Sequence, residues 1–126
     1  MHVLLIEPDA LLAKTYEAAL RTERHRVSRA VTAQQAVAAA DAEQPDVVVL
    51  ALGMARHNGV EFLYEFKSYT EWRDVPVIAL VSRLNHDMAD HGSLRRELGV
   101  QKVLIRSQLT LKNLCEAVTS AGQSKP

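Results

Sequence analysis

At 126 residues, 48% hydrophobic and 24% charged, the chain has the size and composition of one globular domain and leaves no room for a second. Lys plus Arg number 15 and Asp plus Glu number 15, a formal net charge of zero, which excludes an overall attraction to nucleic acid or to an anionic membrane. The single Cys115 excludes an internal disulfide framework, and no apolar run approaches the roughly 20 residues that span a bilayer.

The chain opens into Val3-Leu4-Leu5-Ile6, an apolar run with strand character and no secretory-signal pattern, so a cytoplasmic protein is expected. Pro8-Asp9 punctuates its end. In the helical pattern that follows, Leu12, Tyr16, Ala19 and Leu20 share one face, with Lys14, Glu17 and Arg21 elsewhere. Arg26 to Val31 reads as a second strand. Thr32 and Gln35 then match a capping box that opens an alanine-rich helix to about Glu43. After Pro45-Asp46, the run Val47-Val48-Val49-Leu50-Ala51-Leu52 lacks alternation and is rich in β-branched residues, as a central parallel strand covered on both faces requires.

Gly53 to Asn58 reads as a loop, and Gly59 starts a helix whose bulk is Phe62, Leu63 and Phe66. Pro76 to Val81 is a further buried strand, followed by a polar loop and a helix ending at Leu98-Gly99 with a C-cap signal. Val103-Leu104-Ile105 is the fifth strand. Thr110 caps a last helix in which Leu111, Leu114, Cys115 and Val118 follow the i, i+3, i+4, i+7 stripe. The expected domain covers residues 1–121, with 122–126 a polar tail or the start of a linker. Strands alternating with helices through short turns imply right-handed βαβ units and a parallel, doubly wound α/β sheet.

Ligands bind such sheets beyond the carboxyl ends of the strands, at the switch point between the first and third. There stand Glu7-Pro8, Ala51, Val81-Ser82 and Arg106-Ser107, of which only Glu7 and Arg106 carry charge.

In order and spacing, the stretches Val3 to Asp9, Pro45 to Ala51 through Asn58-Gly59, Pro76 to Ser82 and Gly99 to Arg106 resemble the response-regulator receiver family across nearly the whole chain. The resemblance implies a flavodoxin-like five-stranded parallel sheet of order 2-1-3-4-5 with five flanking helices. The family passes a phosphoryl group from a histidine kinase to an aspartate at the end of strand three, using a magnesium ion held by acidic side chains and a hydroxyl and a lysine on the phosphoryl oxygens. Position by position, the acceptor falls on Ala51, the acidic pair on Glu7 and Pro8, the hydroxyl on Val81 beside Ser82, and the lysine on Arg106. A degenerate receiver is expected: not an enzyme, without cofactor or metal, working by phosphorylation-independent contact with a protein partner or by self-association as a homodimer. Resemblance also supplies a candidate interaction face with Arg95, Lys102, Lys112 and Glu116 exposed, built from the fourth helix, strand five and the last helix.

Other carboxylates offer no replacement for the acceptor. Asp46 lies five residues before Ala51, roughly 16 Å along a strand and so near the opposite rim of the sheet. Asp9 reads as the N-cap of the first helix. Glu7 and Arg106 admit a remnant metal or anion site, but an ion pair across the pocket mouth is preferred, since one carboxylate beside an arginine is a poor magnesium site. His86, Asp87, Asp90 and His91 could form i, i+4 zinc pairs, yet exposed histidines and acidic residues in a first helical turn explain them more simply. Arg21, Arg24, Arg26 and Arg29 admit a nucleic-acid patch, with protection of an edge strand preferred. Cys115 and Trp72 are read as packing residues.

Two alternatives remain. One is a flavodoxin-like module binding a nucleotide or other small molecule, against which stands the absence of phosphate-cradling glycines in Glu7-Pro8-Asp9. The other is an atypical receiver phosphorylated at another residue.

Overall fold

The computed structural model describes residues 1–52, 59–81 and 99–123. Five strands, β1 (His2–Ile6), β2 (Arg26–Ala30), β3 (Val47–Ala51), β4 (Val77–Val81) and β5 (Val100–Ile105), form one sheet of order β2-β1-β3-β4-β5. All neighbouring pairs are parallel. The helices are α1 (Ala10–Thr22), α2 (Ala33–Ala42), α3 (Gly59–Ser68) and the C-terminal α4 (Leu111–Gln123), with short 3-10 turns at Thr70–Trp72 and Arg106–Gln108. The described residues thus hold four helices against the five expected. The helix expected before Gly99 lies outside them, as do Ser82, His86, Asp87, Asp90, His91 and Arg95.

Strand periodicity divides the core. On β3, Val48 and Leu50 face one side with Leu4, Ile6, Ala79 and Val81, packing against Ala36 and Ala40 of α2 and Phe62, Leu63 and Phe66 of α3. The alternate residues Val47 and Val49 face the other side with Val3, Leu5, Ile78 and Leu80, against Tyr16 and Leu20 of α1 and Leu114 and Val118 of α4. Both faces of the central strands are covered, which is why they read as unbroken apolar runs. Trp72 is 3% exposed and stacks on Phe66 with ring centroids 5.0 Å apart, the packing role expected of it.

The caps hold where the sequence places them. Asp9 Oδ1 accepts from the Leu12 amide at 3.0 Å, and Thr32 Oγ1 accepts from Gln35 at 3.1 Å while the Gln35 side chain receives the Val31 amide at 2.9 Å. The edge strand β2 shows Arg26 and Arg29 to solvent, ion-paired with Glu43 and Glu17. Arg21 also pairs with Glu17, so three of the four arginines of this stretch are neutralised locally.

Two boundaries differ from expectation. β5 begins at Val100, three residues before the apolar run, because Val100 pairs with Val77 and the exposed Lys102 with Ile78, the register shifting at Gln101 between them. α4 runs through Gly122 and Gln123. A Cβ at Gly122 would lie 1.9 Å from Met1 Sδ, so the missing side chain lets the first residue pack on the last helix.

Candidate functional site

The carboxyl ends of β1, β3, β4 and β5 gather the residues that the sequence singles out. Ile6 is in register with Leu50, Ala51 with Leu80 and Val81 with Ile105, so Glu7, Ala51, Val81 and Arg106 stand along one rim. Ala51 and Val81 are fully buried, and Pro8 is half-buried beside them. Period two puts the Glu7 and Ala51 side chains on the same face as Leu5 and Val49, under α1.

Glu7 is 1% exposed, and a carboxylate so placed requires partners. Arg106 Nη2 donates to Glu7 Oε1 in an ion pair, and the Asp9 amide donates to Glu7 Oε2 at 3.2 Å. With β5 three strand spacings from β1, about 14 Å, the two long side chains meet over the ends of β3 and β4. The guanidinium stands at the rim where β3 ends in Ala51. Its Nε is buried and has no hydrogen-bond partner.

Tyr16 of α1 is the neighbour that the sequence reading missed. It is 6% exposed, and its phenol is pushed up by burial, with Arg106 opposing and Glu7 and Asp9 adding to the rise. Its membership of the buried face of α1 was legible; its proximity to a charge pair depends on Arg106 crossing the sheet.

The other expected positions lie apart. Lys102, Lys112 and Glu116 are exposed on β5 and α4. Lys102 and Glu116 flank a cavity of about 260 Å³ between those elements. Lys112 and Glu116 also line a cavity of about 590 Å³ with Cys115, Glu23 and Thr119, away from the rim. Cys115 is partly buried, its Sγ is 3.6 Å from the Ala19 carbonyl, and its thiol is pushed up by burial and then by Glu23, as suits packing rather than reaction. Beside Glu7 a cavity of about 240 Å³, lined by Ala10, Ala13, Arg29, Ala30 and Val31, opens toward β2. Among the described residues no three His, Cys, Asp or Glu side chains come together as a metal site.

Residues 3–119 match the response regulator receiver domain family. The chain belongs to that family. The KDP operon transcriptional regulatory protein KdpE of Escherichia coli (strain K12) is 32% identical over 82 residues, 65% of this chain and 35% of that protein. The transcriptional regulatory protein PdtaR of Mycobacterium tuberculosis (strain CDC 1551 / Oshkosh) is 27% identical over 121 residues, 95% of this chain and 56% of that protein. The receiver thus spans about a third of one relative and just over half of the other. Among solved structures, a sensor protein from Polaromonas sp. JS666 superposes with TM-score 0.86 at 15% identity over 99% of this chain and 98% of that one. NtrX from Brucella abortus in complex with ADP superposes with TM-score 0.85 at 21% identity over 98% of this chain and 27% of that one. These two likenesses establish the fold alone. Receivers are signalling modules that interact with other proteins, and no helix among the described residues is long and apolar enough to cross a membrane.

Proposed function

We propose that this chain is a receiver without a phospho-acceptor, a regulatory module of a two-component-like system that acts through protein contacts rather than through a phosphorylation switch. The observation that supports this reading is the Glu7–Arg106 ion pair at the rim where β3 ends in Ala51. Phosphoryl transfer to a side chain requires a nucleophilic oxygen, and the methyl group of Ala51 has none. Val81 stands at the hydroxyl position.

The residues present do not fit a magnesium ion either. Magnesium takes hard oxygen ligands in near-octahedral geometry. Both oxygens of Glu7 are engaged, one by a guanidinium and one by an amide, and Pro8 supplies no side-chain oxygen. The Asp9 carboxylate is turned into its helix. With no acceptor to charge and discharge, the rim holds one arrangement, and output rests on constitutive contacts. Self-association or a protein partner at the face carrying Lys102, Lys112 and Glu116 is the form those contacts take.

Treatment with phosphoramidate and magnesium, or with beryllofluoride, should leave the intact mass and the amide NMR spectrum unchanged. Ala51→Asp alone should remain slow to label, since Glu7 stays committed to Arg106. Adding Pro8→Asp and Arg106→Lys should accelerate labelling non-additively, as groups acting as one unit do. A phosphoryl adduct on the unaltered protein would overturn the proposal. Stabilisation by a nucleotide in a thermal-shift assay would favour the small-molecule alternative.

A further inference from the structure

The outer face of α4 carries a ridge. Lys112, Glu116 and Ser120 follow one another at intervals of four residues and all are exposed, the spacing at which side chains stand up as a row on a helix. Hollows lie on both sides of that row. Glu116 and Ser120 border the cavity of about 590 Å³ toward the end of α1 and the cavity of about 260 Å³ toward β5. In the neighbouring row, Cys115 and Thr119 line the larger hollow and Leu111 is 42% exposed. A ridge flanked by grooves is the surface against which a second helix packs.

The charges on the ridge lack partners. Lys112 and Glu116 stand one turn apart, yet neither forms an ion pair among the described residues, where the four pairs join other side chains. Lysine before glutamate is the weaker order for a pair within one helix, so both charges remain available to another surface.

We propose that this ridge is the contact surface of a homodimer, in which the α4 helices of two copies cross antiparallel about a two-fold axis and Lys112 of each faces Glu116 of the other. The proposal rests on the reading of this chain as a module of constitutive contacts and names a second copy as the partner. The charge pattern selects that partner. A uniformly acidic or basic surface would be attracted to one end of the ridge and repelled by the other, and a parallel copy would set lysine against lysine. A two-fold axis passing midway between Lys112 and Glu116 reverses the order of charges, so one pattern meets its own complement twice. Each ridge then enters a groove beside the other, with Cys115 close to the axis. One helix crossing buries less than the roughly 1,600 Å² of a standard interface, so the association is weak and depends on concentration.

The test is sedimentation equilibrium up to about 1 mM protein, with circular dichroism to show that each variant is folded. The parent chain should dimerise. Lys112→Glu and Glu116→Lys each turn both ion pairs into like-charge contacts, and each variant alone should associate about tenfold more weakly or worse. Mixed one to one, the two variants should associate about as well as the parent, since every contact in the mixed dimer is again between opposite charges. Alkylation of Cys115 by a bulky maleimide should slow as the dimer forms. A chain that stays monomeric at about 1 mM would overturn the proposal; if phosphodonors also give no adduct, the reading of a receiver without acceptor stands and its contact is with another protein. Dimerisation in which the mixture is no stronger than either variant alone would overturn it too, as would alkylation of Cys115 that is unchanged by dimerisation.

Discussion

At the amino-end rim of the sheet, polar groups bond between β1 and its immediate neighbours, β2 and the turn into β3. His2 is 2% exposed, with Nδ1 3.3 Å from the Gln44 carbonyl and Nε2 2.7 Å from Ser28 Oγ, and its amide donates to Asp46 at 2.8 Å. At the carboxyl-end rim, one ion pair joins residues 99 positions apart and crosses the strands between them. The first set of bonds joins adjacent segments; the second occupies the place where this fold puts ligands. Buried polar groups are thus found at both rims, and only their reach distinguishes maintenance of the fold from occupation of the site.

The sharpest way to break that contrast is to cut the long-range pair. Glu7→Gln leaves the Arg106 charge largely buried, since its side chain is 16% exposed, and should cost about 3 kcal/mol in urea unfolding. Combining it with Arg106→Met should recover most of the loss, because the cost lies in the uncompensated charge rather than in the value of the pair. A Glu7→Gln variant as stable as the parent would show that the pair is not a buried constraint on this rim.

A smaller effect is expected at the opposite rim. His2→Leu keeps most of the volume but leaves the Ser28 hydroxyl and the Gln44 carbonyl without the ring, at a cost of about 1 to 2 kcal/mol. Its NMR perturbations should stay among β1, β2 and the turn before β3. Shifts at Glu7 or Arg106 would mean that the two rims are coupled and that the contrast is false.

Much of this was legible in the sequence. The central strands announced themselves as apolar runs, and the caps at Asp9 and Thr32 follow from local chemistry. The Glu7–Arg106 pair was legible only once the order of strands was supposed, because nothing local links positions 99 apart. The early start of β5 was hidden, since Lys102 enters the ladder through its partner strand rather than by its own propensity, past a register shift at Gln101. The face assigned to Arg95 falls partly on residues outside the described set.

The end of α1 was also hidden, and it supplies the smallest and most specific prediction. The amides of Arg24 and His25 donate to the carbonyls of Arg21 at 2.9 Å and Leu20 at 3.1 Å, the double closure of a Schellman motif. The residue between cap and closure must then be left-handed, and Arg24 has φ 69°. Glycine is the usual occupant, so the sequence carried no stop signal. A side chain with a Cβ costs roughly 1 to 2 kcal/mol in that conformation, while glycine adds entropy to the unfolded chain. Arg24→Gly should therefore stabilise the protein by about 1 kcal/mol, read as a raised denaturation midpoint with unchanged slope. Arg24→Ala removes the same guanidinium but keeps the Cβ, and should give no such gain. If alanine stabilises as much as glycine, removal of charge from the crowded β2 edge, and not relief of backbone strain, is the cause. Because the amino-end rim serves the fold alone, neither change should alter the response to phosphodonors or the association state. An altered association state would extend the proposed contact surface to this end of α1, where Glu23 lines one cavity with Lys112 and Glu116.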